Sequence, residues 1–579
     1  MTIALPAQLA DRRSIKLDFT WPVMFAFVAL LCVLIVLPIS WLVYYSVTMV
    51  DPATQARSLT LGQFHTLFSD PEFVDPLITT VIIAVSSSIA CCAVAAPMGW
   101  LVARTDMPMT RTIRALVTAS FVTPPFLGAV AWEILAAPNS GLLNKLYRLV
   151  TGAPQDEYLF NIYTLPGLIF VIACYTFPYV FVLIANALDR IPSDLEDASA
   201  MLGASAWETA RRVTIPLALP ALLAGALIAF LQAMILFGSP AILALPAGFH
   251  TMTTKIWSLF QYPPKPELAA AASLPLLVLT VILLRGQAMV LGRKGYTVVG
   301  GKGAEPRLIR LGWWLVPAGA FVITVLMLPV FLPYFALFNA AFSPIATTLV
   351  TPFNATMHNI YFTFFELSST KIALKNTFIL GTLSATFGTV LALVISYLTA
   401  RQAVRGHRVL AFLATAPIAI PGIVLGVGLF LSYTQPPFVL YGTIWILFIA
   451  YITIELPAAY QQLQSAFRSV HPELEDASRI LGATRLRALK DVTAPLLRTS
   501  VLATWCFIFI GVIRELSAAI LLFTSQTKVV SVLIFDLNES GDLGAIAVLG
   551  LIMLAITFAV VILANRVPGF GGGAVRLHN

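Results

Sequence analysis

Apolar residues fall in long blocks, separated by short polar or proline-bearing stretches, from Trp21 almost to the last residues of the chain. An α-helix needs about 20 apolar residues to cross roughly 30 Å of hydrocarbon, and it satisfies its own backbone while doing so. Barrel strands alternate apolar and polar over about 10 residues, and these blocks are too continuous for that. The pattern predicts spanning helices over 21–47, 77–101, 113–137, 160–186, 217–245 and 268–291. A second set follows over 313–341, 377–400, 409–432, 439–465, 497–524 and 543–565. The first block is too long for the core of a cleaved leader and reads as a retained helix.

Composition supports lipid as the solvent. Of 579 residues, 59% are hydrophobic and 11% charged, with a mean hydropathy of +0.89; soluble chains carry roughly 25% charged residues. The five cysteines, Cys32, Cys91, Cys92, Cys174 and Cys506, lie inside apolar blocks with no metal-ligand spacing, and the six histidines are scattered. They read as small buried hydrophobes rather than a disulfide or metal framework. The net charge of +8 has an ordinary cause in a membrane protein, the cytoplasmic excess of Lys and Arg, so nucleic acid is not an expected partner. With the N-terminus placed in the cytoplasm, the inner segments hold 26 of the 35 Lys and Arg residues. That asymmetry predicts a multi-pass protein with both termini cytoplasmic.

The stretch Arg285–Arg310 is rich in Gly and Lys/Arg and reads as a cytoplasmic connection between two halves. The expected division is a cytoplasmic segment over 1–20, a first six-helix half over 21–291, a linker over 292–312, a second half over 313–565 and a cytoplasmic tail over 566–579. Within the linker, Gly300-Gly301-Lys302 fails as a phosphate loop, because Gly303 stands where Ser or Thr is required. No other phosphate loop occurs, so the chain is not expected to hydrolyse ATP and reads as no enzyme.

The two halves repeat each other. Residues 195–217 and 474–496 align without a gap at an offset of 279, with twelve of 23 positions identical. Leu-Glu-Asp-Ala-Ser at 195–199 matches 474–478, and Gly203 matches Gly482. At an offset of 297, Thr80 pairs with Thr377, Ala103-Arg104 with Ala400-Arg401, and Pro124 with Pro421. The 18-residue difference predicts extra chain in the first half, placed in the external loop 137–158. Six helices per half make the halves parallel, related by an axis along the membrane normal.

Identity concentrates in the loop between the fourth and fifth helix of each half, on the inner side. Leu195, Ala198, Met201 and Leu202, like Leu474, Ala477, Ile480 and Leu481, recur at helical spacing and predict a short helix lying flat. Acidic residues open it, as suits a helix N-terminus, and Gly203 and Gly482 permit a turn or a close backbone approach. One such loop reads equally well as a capped, solvated segment. Two copies at a fixed offset point to something that binds both in the same way.

This loop resembles the cytoplasmic signature of ABC importer permeases, Glu-Ala-Ala, three residues, Gly, then a hydrophobic residue before Leu-Pro. The matching residues are Asp197-Ala198-Ser199, Gly203, Val213, Ile215 and Pro216, and Asp476-Ala477-Ser478, Gly482, Val492, Ala494 and Pro495. Asp replaces Glu and Ser replaces the second Ala in both halves, with Glu196 and Glu475 one residue ahead. The resemblance implies the all-α type I importer permease fold in a bacterial inner membrane, with twelve helices in two parallel six-helix repeats. It implies that the loops dock on a homodimer of ATP-binding subunits through Glu196, Asp197, Ala198, Gly203, Glu475, Asp476, Ala477 and Gly482. It also implies ATP and Mg held by that partner, no cofactor on this chain, and an external solute-binding protein. The fused halves and Arg514-Glu515-Leu516-Ser517-Ala518-Ala519 resemble ferric-iron permeases, whose relatives handle thiamine and 2-aminoethylphosphonate. Ferric iron is the solute so implied, with the others as alternatives.

Arg514 and Glu515 fall inside the predicted eleventh helix, where ionisable groups are costly unless paired or hydrated. They read either as a gate or polar wall of a path, or as a pair that bonds helices together. Glu133 and Glu455 raise the same question nearer the membrane surface. The first half has Leu236-Phe237-Gly238-Ser239-Pro240 where the second has this charged stretch, so a path would be lined asymmetrically. The external segment 246–267 is a contact for a delivery protein or a plain loop. Two other classes compete: a carrier driven by an ion gradient, which would bind ions through intramembrane acids, and a membrane enzyme, which would need a reactive cluster the sequence lacks.

Overall fold

The computed structural model describes residues 20–50, 56–292 and 308–565. The linker core, both ends of the chain and the failed phosphate loop lie outside the described residues. Within them the protein is helical apart from a short hairpin, β1 (Thr48–Val50) with β2 (Arg57–Leu59).

In the first half, α1 (Pro22–Ser46) and α2 (Pro71–Arg104) are spans, and α3 (Thr110–Val122) and α4 (Pro125–Ala136) form a bent pair. After α5 (Leu142–Thr151) comes the span α6 (Leu165–Asp189), then the short α7 (Ser193–Met201). The span α8 (Ala210–Ile235) is followed by α9 (Gly238–Leu243), α10 (Met252–Ser258) and the last span, α11 (Pro266–Gly292). The second half repeats the order. It has α12 (Gly312–Phe342), α13 (Ser368–Ala400), the bent pair α14 (His407–Ala419) and α15 (Gly422–Tyr433), then α16 (Ile444–Ser469). There follow α17 (Glu473–Ile480), α18 (Leu489–Arg514), α19 (Ala519–Leu522), α20 (Val530–Ser540) and α21 (Leu543–Asn565). Among the described residues ten helices are long and apolar enough to cross a membrane, or twelve if each bent pair counts as one span.

The third predicted span of each half is therefore not straight. It bends by 96° between α3 and α4 and by 109° between α14 and α15. A residue before proline is pushed out of the helical region. Thr123, Pro124 and Ile420 each precede a proline and accordingly have ψ of 128°, 129° and 111°, and Pro421 itself has ψ of 143°. The fifth predicted spans, 217–245 and 497–524, also end early. Leu236 and Glu515, matched at the 279 offset, are extended, with ψ of 130° and 123°. Hydroxyls take up both freed carbonyls: Thr253 Oγ1 donates to Leu236 O at 2.9 Å and Ser531 Oγ to Glu515 O at 2.7 Å. The matched threonines then anchor the next helix, Thr80 Oγ1 accepting from the N–H of Met252 and Thr377 Oγ1 from that of Val530.

The first helix of each half packs across to the other half. Tyr433 on α15 donates to Val33 O on α1 at 3.0 Å, and Tyr334 on α12 lies 2.6 Å from Thr123 Oγ1 beside α3. The pseudo-two-fold thus interlocks the halves. Between α4 and α6 lie 28 residues and between α15 and α16 lie 10, so the extra 18 residues fall where the offsets place them. They fold as α5.

Candidate functional site

The two repeated loops are built alike. Each helix ends in a Schellman turn: Gly203 N–H donates to Ala200 O and Ala204 N–H to Ser199 O, while Gly482 N–H donates to Arg479 O and Ala483 N–H to Ser478 O. Gly203 and Gly482 take φ of +87° and +94°, a conformation that suits glycine, and a Cβ there would meet open space. Their role is the turn, not a close backbone approach.

The apolar stripe does not lie against the protein. Met201 and Leu202 are 84% and 89% exposed, and Ile480 and Leu481 are 85% and 90% exposed. Such pairs of large apolar side chains, rimmed by Asp194, Asp197, Asp476 and Arg479, are what a protein interface presents. Asp194 opens α7 in an exposed first turn, as Asp476 does α17, where it is bridged to Arg479 at 3.3 Å; Asp197 is half-buried and lines the cavity beneath α7.

Glu196 and Glu475 face the other way, into the body. Arg104, the last residue of α2 and almost wholly buried, donates from Nη2 to Ile191 O at 2.8 Å and lies 3.7 Å from Glu196 Oε1. Thr214 Oγ1, at the root of α8, donates to the same Oε1 at 2.7 Å. In the second half Arg401 donates from Nε to Glu475 Oε1 at 3.0 Å and from Nη2 to Val470 O at 3.0 Å, and Thr493 Oγ1 donates to Oε1 at 2.8 Å. Four matched groups thus tie each loop to the ends of three spans. The sequence marked the arginine, the glutamate and the threonine as repeated, but not the carbonyls of Ile191 and Val470, and it did not show that they meet. The first loop has an addition: Ile309, near the end of the linker, exchanges backbone hydrogen bonds with Arg104 O and Asp106 N–H. Leu308, Ile309 and Arg310 wall a cavity of about 560 Å³ beneath α7.

A second cavity, of about 370 Å³, sits on the pseudo-two-fold between the halves. The breaks aim the ends of α3, α8 and α18 at it. Arg514 and Glu515 line it, but not as a pair inside a helix. Arg514 ends α18 with its guanidinium 5.6 Å from the centre of the Phe121 ring, and among the described residues it makes no ion pair. Glu515 stands in the break, where its carboxylate accepts from the N–H of Ala518 and Ala519 at 3.1–3.3 Å and so caps α19. Glu455 lines the same cavity, lying across Gly511, whose missing side chain leaves it room. The first half supplies Thr176, Tyr179 and Gln232, with Gln232 Nε2 donating to Tyr179 Oη at 2.7 Å. Glu133 lies elsewhere, accepting from Tyr163 Oη at 2.8 Å.

Duplicated spans with interlocked first helices, a cavity on their axis and two matched loops define a polytopic transport subunit rather than an enzyme. The family of inner membrane components of binding-protein-dependent transport systems matches twice, over residues 95–294 and 388–568, and the chain belongs to it. This makes it a multi-pass inner-membrane permease of the ABC importer class. The chain is 25% identical over 454 residues to the ferric transport system permease protein FbpB of Actinobacillus pleuropneumoniae. That alignment covers 77% of this chain and 64% of the relative, less than two thirds of its length. It is 24% identical over 476 residues to the probable ABC transporter permease protein y4fN of Sinorhizobium fredii, covering 78% and 81%. It is also 24% identical over 169 residues to a putative 2-aminoethylphosphonate transport system permease protein PhnV of Salmonella choleraesuis, covering 29% and 62%.

Proposed function

We propose that this chain forms the solute path of an ATP-driven importer and that α7 and α17 are its two points of attachment to a homodimer of ATP-binding subunits, one each. The observation that carries this reading is the duplicated loop: an apolar pair held outward by a glycine turn, and a glutamate held inward by an arginine and a threonine at the ends of spans. A force applied to the outer face reaches α2 and α8, or α13 and α18, through those bonds. Asp197, Ala198, Asp476 and Ala477 belong to the docking helices, while Glu196 and Glu475 transmit. ATP and Mg reside on the partner, and the chain itself holds no cofactor.

The loops and both termini face the cytoplasm, on the charge asymmetry of the sequence. An external solute-binding protein delivers the solute, and closure of the ATPase dimer draws the loops together and opens the path outward. Ferric iron is the solute this reading favours, from the likeness to a ferric permease. Carboxylate and phenol oxygens are hard donors that suit such an ion in passage. A phosphonate is the second reading, favoured by the Arg514 guanidinium at the cavity, which makes no ion pair among the described residues. In reconstituted complexes Gly203→Arg or Gly482→Arg is expected to uncouple ATP hydrolysis from uptake while the membrane body stays folded. Unchanged uptake in both variants contradicts the docking role.

A further inference from the structure

The helix α5, part of the 18-residue excess of the first half, is turned inside out relative to an ordinary surface helix. Its polar face points into the protein. Asn144 is fully buried; its side chain donates to Ala137 O and Phe160 O and accepts from the N–H groups of Leu159 and Phe160. Arg148 donates to the carbonyls of Pro138, Asn139 and Glu157. Lys145 reaches the other half, donating to Thr347 O at 2.6 Å, and burial together with the neighbouring Arg148 holds its ammonium below the ordinary lysine range. The apolar face points outward: Leu146, Leu149 and Val150 are 52%, 81% and 76% exposed.

A surface helix in water presents the opposite arrangement. Single exposed apolar residues need no explanation, but this face has neighbours of its kind. Thr347, the partner of Lys145, lies between the exposed Ile345 and Leu349. That loop follows directly on α12, whose exposed Phe335 and Phe338 belong to a span and so face acyl chains. The apolar surface of the span thus continues toward α5, while both cations of the helix are turned inward onto carbonyls. Leu146, Leu149 and Val150 themselves carry no polar side-chain group, and Tyr147 beside them spends its hydroxyl on Glu157 at 3.1 Å.

We infer that α5 is an interfacial helix seated in the bilayer, its Leu146–Leu149–Val150 face lying among the phospholipid acyl chains just below the headgroups. The leaflet is the outer one, which rests on the orientation proposed above. The second half has only its 10-residue connection there, so the seat is one-sided.

The test places a nitroxide at Leu149→Cys in the full chain in phosphatidylethanolamine–phosphatidylglycerol nanodiscs, with the unsubstituted chain carried through labelling as background. The expected result is relaxation enhanced more by oxygen than by a water-soluble nickel chelate, and unchanged when the solute-binding protein is added. Stronger relaxation by nickel means a face in water and overturns the proposal. Protection from both reagents that appears only with the binding protein overturns it as well, making α5 a docking face for that protein. Thr151→Cys, exposed at the end of the same helix, tests the orientation separately. Labelling by an impermeant maleimide in spheroplasts supports the outer side. Labelling only in inverted vesicles moves the seat to the inner leaflet and refutes the orientation, leaving the lipid contact to the nitroxide.

Discussion

The two loops are copies, yet they are not fastened equally. In the second half Arg401 meets Glu475 through two nitrogens, at 2.9 and 3.0 Å. In the first, Arg104 stands 3.7 Å from Glu196, and its Nε and Nη1 are buried with no hydrogen-bond partner among the described residues. The first loop instead rests over a cavity, with Ile309 bridged to the backbone at Arg104 and Asp106 alongside it. The same four groups thus give a tight fastening where the loop sits directly on the spans and a slack one where the linker returns. Duplication supplies the parts, and the covalent connection between halves makes their surroundings differ. The slack lock has room to close, so the first loop is the one expected to move further when the partner closes.

Breaking the tight lock has the largest expected effect. Arg401→Ala strands the Glu475 carboxylate, and removing one member of a buried ion pair costs about 3–5 kcal/mol. Stimulation of the ATPase by the permease is expected to disappear. Arg104→Ala loses a longer, incompletely bonded contact and is expected to cost less in stability and in coupling. Thermal unfolding and ATPase assays on the two variants compare them directly, and equal losses would remove the distinction between the loops.

The central cavity carries a second comparison between halves. At the 279 offset Thr176 on α6 matches Glu455 on α16 and Gln232 on α8 matches Gly511 on α18, so the larger side chain sits on α8 in the first half and on α16, the counterpart of α6, in the second. Gly511→Ala drives a methyl into the Glu455 carboxylate, and overpacking of this kind costs about 1–3 kcal/mol. Uptake is expected to fall while basal ATP hydrolysis by the assembled complex persists. Relief by a further Glu455→Thr change, which restores the first half's pattern, would sharpen the comparison; full uptake in Gly511→Ala would break it.

Much of this was legible in the chain because duplication marks what both halves keep. Thr80, Arg104, Pro124, Glu196 and Thr214 each have a partner at a fixed offset. Spans and loops follow from apolar block length alone. What the sequence could not show is which marked residues meet, since Arg104 and Glu196 are far apart along the chain and converge only through the packing of α2 on α6 and α8. Block hydropathy is also blind to angle, so the bends at Pro124 and Pro421 passed as straight helices although the prolines were visible. Arg514 and Glu515 read as a charged pair within a helix because nothing local announces the break after Ile235 or Arg514. The inverted face of α5 was within reach, for Leu146, Leu149 and Val150 recur at helical spacing, but their direction depends on carbonyls supplied by neighbouring segments.

The central claim is that α7 and α17 are gripped separately by the two ATP-binding subunits. Site-specific cross-linking tests it most directly, with Leu202→Cys or Leu481→Cys paired with cysteines on the membrane-facing surface of the ATPase in the assembled complex. The account predicts that each position captures one ATPase subunit, with a yield that changes on binding ATP. Capture at neither position, or labelling of either cysteine by an impermeant reagent from outside the cell, would contradict it.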